Sequence, residues 1–374
     1  MAGSFSSFGL DHKIVDILAR RGITEPTPIQ VQAIPVVMQG SDVIGIAQTG
    51  TGKTLAFGLP LIEKMVDNQK KALIVAPTRE LAVQIEQNIK AIAHALPVSF
   101  KVAVIMGGIP QYRQVNDLKR NPRMIVATPG RLVDLMEQRI LSLHDFDFFV
   151  LDEADRMFDM GFAPQVQKIA AALTKPHQTL LFSATMSAPV TALASRYQHN
   201  PVRIEVSPAN TGSKNVRHEL HYVPKEHKLT ALKGILQDDH PSVLVFSRTK
   251  HGARKLRDKI AQMGHKAADI HSNKSLSQRK AALEGFRSGQ YRVLVATDVV
   301  SRGIDVADIS LVVNYDLPDA AEDYVHRTGR TGRAGKDGRA ISLATPDQKK
   351  LVYQIERLMQ QRIPVAQPAK STAR

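Results

Sequence analysis

The chain has 374 residues, 43% of them hydrophobic, and a formal net charge of +15, enough for two cores of ordinary size and a surface suited to a polyanion such as nucleic acid. With no cysteine and 13 histidines that lack metal-ligand spacing beside carboxylates, it excludes disulfides and structural zinc. No apolar run could span a bilayer and no secretory leader is legible, so a cytoplasmic protein with no membrane partner is expected. At 5% aromatic content and no Trp, contacts to a sugar-phosphate backbone are favoured over base stacking.

The segment 11–40 begins with a helix carrying Ile14, Ile17 and Leu18 on one face. A proline-stiffened loop follows, Glu25-Pro26-Thr27-Pro28-Ile29-Gln30, and then a second short helix to Met38. That loop holds the amide of Gln30, whose donors and acceptor match the edge of adenine. A strand over 42–46 leads into Ala47-Gln48-Thr49-Gly50-Thr51-Gly52-Lys53-Thr54, with a helix beginning near Lys53. This is the make-up of a phosphate-binding loop. Small residues let backbone N–H groups curl around a triphosphate, Lys53 reaches the outer phosphates, and Thr54 ligates Mg²⁺. Ala47 stands where the usual pattern has Gly.

Short β-rich runs then alternate with amphipathic segments, at 72–76, 101–106, 123–127, 146–151, 178–182 and 202–206. Strands separated by helices predict βαβ units and a doubly wound parallel sheet, with ligands at the carboxyl ends of the strands. There the buried run Phe148-Phe149-Val150-Leu151 delivers Asp152-Glu153-Ala154-Asp155. Asp152 is expected to hold Mg²⁺, and Glu153 to orient and deprotonate the attacking water. Ser183-Ala184-Thr185 ends the next strand; its hydroxyls either cap the following helix or link nucleotide state to domain closure.

The stretch Ser207-Pro208-Ala209-Asn210-Thr211-Gly212-Ser213-Lys214-Asn215 is a break in composition, where a hinge is expected. Beyond it the alternation restarts with an internal echo. Leu73-Ile74-Val75-Ala76-Pro77-Thr78-Arg79 resembles Val243-Leu244-Val245-Phe246-Ser247-Arg248-Thr249, and Ile125-Val126-Ala127-Thr128 resembles Leu294-Val295-Ala296-Thr297. The second half has no Gly-Lys-Thr loop, so one nucleotide site is expected. It does carry His326-Arg327-Thr328-Gly329-Arg330-Thr331-Gly332-Arg333. On a short helix that spacing aims the three arginines to one side, as fingers for a phosphate held by the first domain.

With these motifs in this order, from Phe5 to about residue 345, the chain resembles a DEAD-box ATP-dependent RNA helicase, closest to the short-tailed bacterial branch called RhlE-like. The resemblance implies an α/β fold of two RecA-like doubly wound parallel-sheet domains. Their expected extents are 1–206 and 217–360, with a flexible linker at 207–216 and a short tail at 361–374. It implies ATP and Mg²⁺ as cofactors, with Phe5 stacked on adenine and Gln30 on its edge, and the triphosphate held by Gln48, Thr49, Gly50, Thr51, Gly52, Lys53 and Thr54. Gly303 and Asp305 would meet the ribose and phosphates, and Arg330 and Arg333 the γ-phosphate. Asp155, Ser183, Thr185, His326 and Arg327 would couple the domains. RNA-backbone contacts carry over to Pro77, Thr78, Arg79, Gly107, Gly108, Thr128, Pro129, Gly130, Arg131, Arg248, Thr297 and Asp298. Leu276 and Ser272 depart from the family pattern of Gln and Gly, which removes one expected contact. After 364 no further RNA-binding domain is expected. The implied activity is RNA-stimulated ATP hydrolysis with local unwinding of short duplexes by a monomer, with partners in RNA degradation or ribosome assembly. An ATP-gated RNA clamp is the rival reading, and a DNA translocase a second.

Overall fold

The structure, a computed structural model, describes residues 4–48, 50–66, 69–96, 100–206, 216–298, 309–332 and 337–366, without the side chains of Leu276 and Glu322. The chain divides into two compact units, Met1–Pro208 and Ala209–Arg374. The predicted hinge residues 207–215 lie outside the described residues, and Val216, assigned to the linker from sequence, opens a strand instead.

The first unit is built on seven strands: β1 Val43–Ile46, β2 Ala72–Val75, β3 Val102–Ile105, β4 Met124–Ala127, β5 Phe148–Asp152, β6 Gln178–Ser183 and β7 Val202–Glu205. They run parallel in the order β3-β4-β2-β5-β6-β1-β7. β2, β3 and β4 are apolar throughout because helices cover both faces, so alternate residues feed two cores, whereas the edge strand β7 exposes Val202, Arg203 and Glu205. Ala72 and Ile74 of β2 join Phe57 and Ile89 on one side. Leu73 and Val75 join Leu132 and Leu151 on the other.

The second unit repeats the plan with β8 Val216–Tyr222, β9 Val243–Phe246, β10 Ala267–Ile270, β11 Val293–Ala296, β12 Leu311–Asn314 and β13 Gly338–Ala344, ordered β10-β11-β9-β12-β13-β8 and parallel. The sequence echo is a structural one. β2 pairs with β4 as β9 pairs with β11, and each of β2 and β9 leads to a helix capped by a threonine, with Thr78 Oγ1 accepting from Leu81 N and Thr249 Oγ1 from Gly252 N. The segment expected to be a tail does structural work at its start. Leu220 N donates to the Pro364 carbonyl at 2.9 Å and Ala366 N to the Leu220 carbonyl at 2.8 Å, which extends the sheet past its β8 edge.

Candidate functional site

At the carboxyl end of β1 the chain turns through the phosphate loop into the helix Lys53–Val66, as expected. Gly50 and Gly52 have φ of +87° and +91°, a left-handed backbone that L side chains disfavour. A Cβ on Gly52 would also meet Gln30 Nε2 at 2.5 Å, so the cradle closes only around glycine. Lys53 is buried and donates from Nζ to the Ala47 carbonyl at 2.8 Å. Thr51 Oγ1 donates to the Gln48 carbonyl at 2.7 Å. Thr54 is half-buried one residue into the helix, and Thr49 lies outside the described residues.

Gln30 is not in a loop. It occupies the third position of the helix Pro28–Met38, where its Oε1 accepts from Thr27 N at 2.9 Å in a capping box. Its Nε2 donates to the Gly52 carbonyl at 3.0 Å, so the amide ties this helix to the phosphate loop. Phe5 is 2% exposed and meets Phe8 edge-on at 6.0 Å between centroids.

β5 and β6 are neighbours, and their ends bring the two acidic and hydroxyl motifs together. Asp152 is buried and its Oδ1 has no hydrogen-bond partner. Burial pushes its pKa up to about 7, with Lys53 opposing the rise and Glu153 adding to it. An unpartnered carboxylate oxygen beside a phosphate loop fits a hard cation. Among the described residues no cluster of three or more His, Asp or Glu converges; a Mg²⁺ held by Asp152 would take its remaining ligands from phosphate oxygens and water. Glu153 stands at φ +54°, ψ +53°, a strained backbone for a non-glycine residue of the kind that collects at active sites. Its Oε2 lies 2.5 Å from Arg156 Nη1 in a buried ion pair.

The hydroxyls of Ser183 and Thr185 do not cap the following helix, Ala188–Tyr197. Thr185 donates from N at 2.9 Å and from Oγ1 at 3.0 Å to Asp155 Oδ2, and Asp155 N donates to Ser183 Oγ at 3.1 Å. The tetrad and the Ser-Ala-Thr run are thus one hydrogen-bonded unit.

Three implied backbone-binding segments of the first unit end β2, β3 and β4. Arg79 lies against Gly107 and Gly108, where a Cβ on Gly107 would come within 2.9 Å of its Nη2. Thr128, Pro129 and Gly130 start the helix Pro129–Glu137, and Thr128 N donates to the Ile105 carbonyl at 2.9 Å. Arg131 pairs with Asp134 at 3.2 Å through Nε, while its buried Nη1 has no partner. Pro77 and Thr78 are buried. Sequence reasoning missed Gln114, whose side chain accepts from Met106 N at 2.9 Å and donates to the carbonyls of Met106 and Ile109, fixing the loop that holds Gly107 and Gly108. A single Gln within an amphipathic helix gives no signal of this.

In the second unit the helix Ala321–Thr328 stops before Arg330, so Arg327 and Arg330 do not share a helical face. Arg327 turns inward. Its Nε and Nη2 pair with the two Asp298 oxygens at 2.6 and 2.7 Å, its Nη1 donates to Asn314 Oδ1 and the Asp316 carbonyl, and its guanidinium lies over Phe246 at 4.8 Å. Every donor group of this arginine is occupied inside its own unit, which locks Asp298 and excludes a finger role for it. Arg330 is 3% exposed and His326 half-buried; Arg333, Gly303 and Asp305 lie outside the described residues. Arg248 is exposed, with its N donating to Asp316 Oδ2 at 3.0 Å, and Thr297 is buried at the end of β11. Ser272 is exposed, and Leu276 begins a helix capped by Ser275.

Residues 27–193 match the family model described as DEAD/DEAH box helicase, and 227–335 match the helicase conserved C-terminal domain. An ATP-dependent RNA helicase of Listeria monocytogenes, CshA, is 41% identical over 91% of this chain and 66% of its own length. DbpA of Bacillus subtilis, also named an ATP-dependent RNA helicase, is 40% identical over 94% of this chain and 74% of its own. Among solved structures, S. cerevisiae Dbp5 bound to RNA and ADP BeF3 superposes with a TM-score of 0.85 at 30% identity, covering 97% of this chain and 96% of that one. Mss116p bound to ssRNA and AMP-PNP gives 0.87 at 26% identity, covering 99% and 81%. Among the described residues no helix is long and apolar enough to cross a membrane. Likeness of this extent, running through both units in one order, places the chain in the DEAD-box family of ATP-dependent RNA helicases.

Proposed function

We propose that this chain hydrolyses ATP with Mg²⁺ in response to RNA, gripping the RNA backbone without regard to sequence and separating short duplexes locally. What carries the reading is Asp152, a buried carboxylate with an unpartnered oxygen, set between Lys53 and the strained Glu153 at the end of β5. Bound Mg²⁺ would screen the developing phosphate charge, held by Asp152 directly or through water and by the Thr54 hydroxyl. The loop from Gln48 to Thr54 orients the triphosphate through its N–H groups, and Lys53 exchanges its contact with Ala47 for the outer phosphates. Glu153 accepts the proton of the attacking water. Asp155, held by Thr185 and Ser183, ties that carboxylate to the end of β6.

In this reading Arg330 and Arg333 are delivered to the triphosphate by the second unit, and Arg327 supports them by fixing Asp298. Arg79, Arg131 and Arg248, with the backbone of Gly107, Gly108, Thr128 and Gly130, hold RNA phosphates. The reading further takes the protein as a cytoplasmic monomer working with RNA-degradation or ribosome-assembly proteins.

The test is RNA-stimulated ATPase and strand displacement on a short duplex. Glu153→Gln should lose turnover by about 10²-fold or more while still binding ATP. Arg330→Ala should slow turnover by about 10³-fold or more with ATP affinity kept. Stimulation that survives Glu153→Gln would remove Glu153 from the role of base. ATP-dependent RNA retention without displacement would convert the reading to a clamp.

A further inference from the structure

The charge of this chain is unevenly placed. Residues 1–208 hold 21 Lys and Arg against 18 Asp and Glu, whereas 209–374 hold 29 against 17. Most of that excess falls in 250–292, with 11 Lys and Arg against 3 acids. The segment contains β10, the outermost strand of the second sheet, and the helices Lys250–Gln262 and Leu276–Arg287.

Some of these cations are internal to the fold. Arg257 and Lys274 pair with Asp269, Arg292 serves the carbonyls of Leu236, Asp238 and His240, and Arg279 is buried. The helix Lys250–Gln262 is different. It buries Ala253, Leu256 and Ile260 against the sheet and turns Arg254, Lys255 and Lys259 to solvent, with Lys266 exposed just beyond it. Among the described residues none of these four has an acidic partner. The acid on that helix, Asp258, lies 3.2 Å from Arg257. Cations left unpaired along a helix of 13 residues, about 20 Å, form a line of positive charge.

The line starts at a site already argued. Thr249 caps this helix, and Arg248 precedes it at the end of β9. We infer that the outer face of the helix Lys250–Gln262, through Arg254, Lys255 and Lys259, is a second RNA-backbone track that continues the grip of Arg248 along the β10 edge. The inference rests on the RNA-binding reading above. It assigns the track to phosphates, not bases, because the exposed cations are not interleaved with aromatic side chains on that face. RNA long enough to leave the strand ends would engage it, and RNA that only fills the first grip would not.

The experiment compares wild-type protein with the full chain carrying Arg254→Gln, Lys255→Gln and Lys259→Gln, substitutions at exposed positions that leave the buried face intact. Binding of single-stranded RNAs of about 8 and about 30 nucleotides is measured by fluorescence anisotropy, with a non-hydrolysable ATP analogue, from about 50 to about 200 mM salt. For the long RNA, the slope of log affinity against log salt should fall by about 2, three phosphate contacts at about 0.7 each. The slope for the short RNA and the turnover at saturating short RNA should be unchanged. An unchanged slope for the long RNA overturns the track while leaving the helicase reading standing. The same result with lost binding of polyglutamate assigns the face to an acidic protein and overturns it equally. Wild-type ATPase that ignores RNA overturns both.

Discussion

Several side chains of this protein do their work because burial denies them water. Asp152 is the clearest at the nucleotide site, and His218 is its counterpart in the second unit. His218 is 3% exposed, shares a hydrogen bond of 3.1 Å with the Tyr324 hydroxyl through Nδ1, and has no partner at Nε2. Burial lowers its pKa from 6.5 to about 4, so the folded unit keeps the ring neutral while the unfolded chain lets it protonate. The unfolded state therefore binds more protons between those two values. Stability is full above the unfolded pKa and declines as pH drops from about 6.5 to about 4, by roughly 3 kcal/mol in all. Urea unfolding followed across that range should show the decline in wild type and a shallower one in His218→Phe, the remainder coming from His240, His265 and His271, whose pKa values burial also lowers. An equal pH slope in both proteins would remove His218 as the cause.

At the scale of elements, the strands matter for where they end. β1, β5 and β6 put the phosphate loop, the acidic tetrad and the Ser-Ala-Thr run side by side, because β6 lies between β1 and β5. The register Gly45↔Phe182 explains a glycine inside β1, where a Cβ would come within 2.5 Å of the Phe182 ring. The ring in turn packs on Phe57 of the helix that follows the loop, at 5.4 Å between centroids. Gly45→Ala should cost about 1–3 kcal/mol, the range for overpacking a filled core, and shift the loop helix. The check is the unfolding midpoint of the variant together with its ATP affinity. A variant as stable as wild type would show that the ring can move aside.

At the largest scale, among the described residues the cores of the first unit hold residues from 5 to 204 and those of the second from 216 to 363, with no cluster drawing on both. Calorimetry should accordingly resolve two unfolding transitions, since a shared core is what makes two units melt as one. A non-hydrolysable ATP analogue with Mg²⁺ at about 100 times its dissociation constant should raise the transition of the first unit by about 2.7 kcal/mol of added stability. Gly45→Ala should lower that transition alone, and acidification through His218 should lower the other. A single transition moved by both would overturn the division of stability.

The sequence by itself determined the alternating strands and helices, the phosphate loop, the acidic tetrad and the echo between halves. Each of these is a local pattern: apolar runs of strand length, glycines where the backbone must curl, acids placed at a strand tip. It misjudged what depends on neighbours distant along the chain. Gln30 was placed in a loop, yet it lies in a helix with its amide tied to Gly52, 22 positions on. Arg327 was grouped with Arg330 by spacing, yet it faces Asp298 and Asn314, because the helix ends at Thr328. For Thr185 two alternatives stood open, capping the next helix or coupling, and its hydroxyl is found on Asp155. Which partner a polar side chain takes is decided by the strand order, β5 beside β6 and β12 beside β9, and buried polar groups take whatever partners that order brings within reach. Periodicity carries no record of that order, so only the tertiary structure could settle it.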